Sequence, residues 1–170
     1  MQEMQETQTE KTEEELRRHR CCFTGHRPEK MSASEEEVRR GLRREILRAI
    51  GEGYVTFLSG MARGVDHWAA EEVLKLREEY GLRLICALPH PDFERKWSEE
   101  ARKVHRRILS LADHVVTVSP SYHAGVYQRR NCYMVDHASL VIAAYDGTAG
   151  GTRNTVLYAQ KQGIPVRNVL

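Results

Sequence analysis

Short apolar runs alternate along the chain with longer stretches in which apolar residues return every three or four positions. Cys21-Cys22-Phe23-Thr24 is the first run and closes at Gly25. Tyr54-Val55-Thr56-Phe57-Leu58 is the second; it is rich in β-branched and aromatic side chains and breaks at Ser59-Gly60. Further runs cover 83–88, stopped by Pro89-His90-Pro91, then 114–118 and 140–145, and a last one lies near Val166. Between the runs the spacing is helical. Val38, Leu42, Ile46 and Ile50 share one face, as do Val65, Ala69, Val73 and Leu76. Helices are therefore predicted from Ser34 to Gly51 and over about 64–80, 94–111, 126–137 and 152–162. Ser34-Glu35-Glu36-Glu37 has the spacing of a capping box, and Gly81 supplies a stop.

Strands alternating with helices predict an α/β fold with a parallel sheet of about six strands. The runs are continuously apolar rather than alternating, as burial on both faces requires. Residues 1–19 lack apolar periodicity and read as a polar tail, disordered or a solvated helix extension, outside a single domain over 20–170. In such a sheet ligands bind beyond the carboxyl ends of the strands, near the point where strand order reverses. The turns after each strand are thus the places to look for chemistry.

Composition narrows the class. The chain has 170 residues, 41% hydrophobic and 29% charged, the balance of one folded domain. Its net charge of +2 argues against a polyanion binder that works by bulk charge. That total hides an uneven split: residues 1–15 hold six acids and one base, and the rest holds 25 bases and 18 acids. No run reaches the ~20 apolar residues of a membrane span, and the polar N-terminus is no secretory signal. Cys21, Cys22, Cys86 and Cys132 form no CxxC pair and suit a reducing cytoplasm, and no zinc-site spacing occurs, so no metal is expected.

Three turns stand out. After the first run, Thr24-Gly25-His26-Arg27 offers a glycine for close backbone approach and an arginine fork for phosphate or carboxylate. After the second, Ser59-Gly60-Met61-Ala62-Arg63-Gly64-Val65-Asp66 joins a strand to a helix N-terminus, an arrangement that favours anions. After the fifth, Asp146-Gly147-Thr148-Ala149-Gly150-Gly151-Thr152 again precedes a helix, with Asn154 in its first turn. The first is as readily a tight turn and the second a packing turn, while the third fits a flexible surface turn less well because it again follows a buried-looking strand; their placement at one sheet edge makes a shared phosphate site the better reading. Neither a Walker A loop nor GxGxxG occurs. Arg129 and Asn131 start a helix near the same edge. Asp66 and Asp146 are the only acids well placed for catalysis, and neither has an evident partner nucleophile. The helix over 94–111 is basic, usually the mark of a solvated face and more rarely of nucleic-acid contact. Trp68 and Trp97 read as packing anchors.

These motifs resemble the YpsA-like family of the SLOG superfamily, which also joins the Smf/DprA proteins and the LOG phosphoribohydrolases. Cys22 through Pro28, Leu58 through Asp66, Arg130 through Asp136 and Asp146 through Thr155 carry the resemblance over about residues 20–170. It implies a Rossmann-like three-layer fold that binds a nucleotide or nucleotide-derived ligand, of the NAD, ADP-ribose or nucleoside monophosphate type. It further implies a homodimer and no established catalysis. Single-stranded DNA binding in the DprA manner, or LOG-type cleavage of a nucleoside monophosphate, are the alternatives. Against the last, the position of the LOG catalytic Glu is Thr155.

Overall fold

A computed structural model describes residues 11–170. Twelve main elements follow one another: helix α1 (Glu13–Arg17), strand β1 (Arg20–Gly25), α2 (Glu35–Gly51), β2 (Thr56–Ser59), α3 (Val65–Tyr80), β3 (Arg83–Leu88), α4 (Glu99–Leu111), β4 (His114–Thr117), α5 (Val126–Asp136), β5 (Leu140–Ala144), α6 (Gly151–Lys161) and β6 (Val166–Asn168). The six strands form one sheet in the order β4-β3-β2-β1-β5-β6, and every pairing is parallel. The fold is the Rossmann-like three-layer sandwich that the sequence predicts.

Pleating sends alternate residues of each strand to opposite faces, and each face meets its own helices. Cys21, Phe23, Phe57, Leu84 and Ile142 join Leu42 and Ile46 of α2, Val73 of α3 and Ile108 of α4 in one core. Cys22, Leu58, Ala87, Val141 and Ala143 join Met134 of α5 and Val156 of α6 in the other. Phe23 and Phe57 stack with centroids 5.8 Å apart, fixing the register of β1 against β2 on the first face.

Strand order reverses between β1 and β5, where the chain has built outward in one direction to β4 and returns to pair β5 with the free edge of β1, Cys21 opposite Leu140 and Gly25 opposite Ala144. The helices flanking this seam diverge, which opens a crevice at the carboxyl ends of these two strands.

Differences from the sequence reading are local. Residues 13–17, read within a tail, form α1; Thr12 caps it through a complete capping box, and none of its residues is buried. The rest of that reading, residues 1–10, lies outside the described residues. Ser34 accepts from Glu37 N–H at 3.2 Å and caps α2. β2 begins at Thr56 rather than Tyr54, because the Tyr54 N–H still bonds back to Ala49. The helix predicted from residue 94 begins at Glu99, where Ser98 caps it by accepting from Ala101 N–H. Among the described residues no helix is long and apolar enough to cross a membrane.

Candidate functional site

A cleft of about 370 Å³ sits at the reversal point. Its floor and walls come from the turns after β1, β2 and β5, joined by the start of α5 and the segment before α4. Thr24, Gly25, His26, Arg27, Arg63, Asp66, Asn131, Gly150, Gly151 and Thr152 all line it, so the turns singled out by sequence do converge.

Ser59, Gly60 and Gly64 shape it from behind. The Ser59 hydroxyl donates to the Asp66 carbonyl at 2.8 Å and accepts from Met61 N–H, tying the end of β2 to the start of α3. Gly64 has φ of 90°, and a Cβ there would lie 2.6 Å from Pro28 Cδ, so the turns after β1 and β2 touch only because this residue is glycine.

Asp146, Gly147, Arg129 and Asn154 do not reach the cleft. Asp146 closes its own turn: its Oδ1 accepts from Thr148 N–H and hydroxyl at 2.9 and 2.6 Å and lies 2.9 Å from His26 Nε2. These contacts hold its carboxyl below the usual range, the Thr148 hydroxyl most of all. Arg129 and Asn154 are exposed. Thr155, at the position of the LOG glutamate, donates its hydroxyl to Gly151 C=O within α6 and is 1% exposed.

In place of Arg129 the structure puts its neighbour Arg130. It is 5% exposed, donates Nε to Asn131 Oδ1 at 2.8 Å and Nη1 to the Gly60 carbonyl, and faces the Tyr127 ring at 5.9 Å. Lys30, Phe93, Trp97 and Tyr127 also line the cleft without having been expected there. Phe93 and Trp97 meet edge to face at 5.0 Å. Trp97 packs in addition on His67 and His105 at 5.5 and 5.2 Å, so it is both an anchor and a wall.

The cleft is electrostatically two-sided. Arg27 and Lys30 stand at its rim, and Arg63 is held 2.7 Å from the exposed Glu29. The α6 N-terminus, capped by no side chain, turns free N–H groups to the same space. On the floor lies Asp66, 6% exposed. Its Oδ2 accepts from Ala62 N–H at 3.1 Å, but Oδ1 is buried with no partner. Burial pushes this carboxyl up to about 6, against the opposing pull of Arg130 and of the Ala62 N–H. Among the described residues no group of His, Cys, Asp or Glu gathers as a metal site.

The chain is 30% identical over 123 residues to the SPbeta prophage-derived protein YoqJ of Bacillus subtilis, covering 65% of this chain and 72% of that one. It is 25% identical over 156 residues to a UPF0398 protein of Bacillus thuringiensis, covering 86% and 85%. Among solved structures, DNA processing protein A of Streptococcus pneumoniae superposes with a TM-score of 0.63 at 19% identity over 90% of this chain, and this chain spans 50% of that one. The Helicobacter pylori protein of the same name, described as binding single-stranded DNA, gives 0.61 at 21%, over 88% of this chain and 64% of that one. The molybdenum cofactor binding protein of Rippkaea orientalis gives 0.56 at 20%, over 90% and 77%. These likenesses show a common fold. The family model described as the YspA SLOG family matches residues 21–164, and the chain belongs to that family.

Proposed function

We propose that the cleft binds a nucleotide or a nucleotide-derived ligand. The observation that carries this reading is the convergence, on one crevice at the strand reversal, of an uncapped helix N-terminus, the cations Arg27, Lys30 and Arg63, and the half-buried rings of Phe93 and Trp97. The cations and helix dipole suit phosphate; the rings suit a base. Arg63, now paired with Glu29, exchanges that carboxylate for phosphate when the ligand enters. A solved neighbour named for binding a cofactor, and another for binding single-stranded DNA, fit a fold that hosts such ligands. The volume lies near the lower end of small-molecule sites, roughly 300–1,000 Å³, and suits a mononucleotide better than an extended dinucleotide.

Calorimetric titration with AMP, ADP, ADP-ribose and NAD tests the reading. Binding of at least one is expected, weakened about tenfold by Arg63→Ala, the lower range for losing one charged hydrogen bond at a partly exposed site. No binding, or binding indifferent to Arg63→Ala, overturns it.

A further inference from the structure

The floor of the cleft holds a hydrogen-bond acceptor and a donor with unused capacity. Asp66 Oδ1 is buried and unpartnered, although the other carboxylate oxygen is satisfied by Ala62 N–H. Arg130 also lines the cleft, close enough for its charge to act on Asp66 without an ion-pair contact; its Nε and Nη1 are engaged by Asn131 and Gly60, while Nη2 makes no hydrogen bond among the described residues. Buried polar atoms are nearly always paired, and an orphan at the bottom of an open cleft is the mark of a group that the ligand completes. Water can serve when the site is empty, but only a ligand group that gives a hydrogen bond to Oδ1 and takes one from Nη2 reproduces both contacts.

An alcohol hydroxyl does both. A phosphate dianion has no proton to donate, and it is repelled by Asp66. The rim cations and the α6 N-terminus already account for phosphate, and the rings of Phe93 and Trp97 for a base. The part of a nucleotide left for the floor is the sugar. Resting on the nucleotide reading above, we infer that Asp66 reads a ribose hydroxyl, donated to Oδ1 while its oxygen accepts from Arg130, so that the site selects ribonucleotides against their deoxy analogues. The inference separates this chain from a DNA-binding role for the same cleft: a 2′-deoxy strand leaves Oδ1 unpaired at the contact that counts.

The test compares AMP and ADP with their 2′-deoxy and 3′-deoxy forms, and with IMP, by calorimetry on the full chain. A ten- to a hundredfold preference for the ribonucleotide over at least one deoxy form is expected, the usual cost of leaving a buried acceptor unpaired. Asp66→Asn keeps an oxygen for Ala62 N–H but places a donor where Oδ1 was, and Asp66→Ala removes the acceptor. Both should bring the ribo-to-deoxy ratio within about threefold, with circular dichroism confirming that each is folded. The wild-type ratio stands as a test even if neither variant folds. A ratio near one in a protein that binds nucleotides overturns the inference and leaves nucleotide binding intact. So does a preference that survives both substitutions, or one that follows the adenine-to-hypoxanthine change instead of the sugar. Absence of any nucleotide binding, or binding to a deoxyoligonucleotide alone, overturns the inference together with the reading beneath it.

Discussion

At Gly25 a single hydrogen atom lets α3 pack close against the end of β1. A Cβ built there would lie 2.4 Å from Val65 Cγ1, inside the first turn of α3. Gly25→Ala must push α3 away from β1, and overpacking of this kind costs about 1–3 kcal/mol. Urea denaturation should show that loss, and nucleotide titration should show weaker binding, since Asp66 is the next residue of the displaced turn. At this scale the sequence was legible where one residue type has one use. Gly25, Gly64 and Arg63 could be picked out because a turn between a strand and a helix leaves few roles for them. Arg130 could not be separated from Arg129, because neighbours on a helix point about 100° apart and only the position of the Gly60 carbonyl shows which one turns inward. The mutual position of Asp66 and Arg130 is likewise a product of tertiary structure, since α3 and α5 lie on opposite faces of the sheet.

The segment between β3 and α4 is the element the apolar pattern conceals. Trp97 falls inside the helix predicted over 94–111 and reads there as a packing anchor, and Phe93, four residues before it, continues the same spacing. Ser98 followed by Glu99-Glu100 was a cap signal that could have placed the helix start correctly. Freed from the helix, the two rings wall the cleft and pack on the buried pair His67 and His105, whose Nε2 and Nδ1 lie 3.2 Å apart. This packing ties the segment to pH. Burial depresses His67 from 6.5 to about 3, and burial also lowers His105. The unfolded chain takes up protons below about 6.5 that the folded protein refuses, so stability is lost as pH falls from there toward 3. Asp66 acts oppositely: raised from 3.8 to about 6, it holds a proton that the unfolded chain releases, and stability is lost as pH rises through that window. Between pH 6 and 4 the two partly cancel. Asp66→Asn should therefore steepen the acid loss there, and His67→Gln should flatten it, each by at most about 1.4 kcal/mol per pH unit for one proton. Urea midpoints taken at pH 4, 5, 6 and 7 for the three proteins check both signs.

For the molecule as a whole, the cleft is assembled from segments far apart in the chain, so a ligand at the reversal point should quiet all of them together. Hydrogen exchange with saturating nucleotide should slow over 24–30, 60–66, 92–97, 127–131 and 150–152. Slowing confined to a single turn would place the ligand elsewhere. The layered architecture and strand count were readable from the rhythm of the runs. The strand order was not, because parallel pairing is settled by which edges remain available once the helices have packed.

That order also sets a timetable for biosynthesis. β1 finds β2 within a few dozen residues, but its other edge is reserved for β5, beginning at Leu140. At roughly 5–20 residues per second, a ribosome needs on the order of ten seconds to supply that strand. Throughout that interval the nascent chain presents an unpaired edge at Cys21–Gly25, with the apolar Cys22 face waiting for α5 and α6. The seam that makes the cleft in the finished protein is therefore the last central joint to close in a growing one.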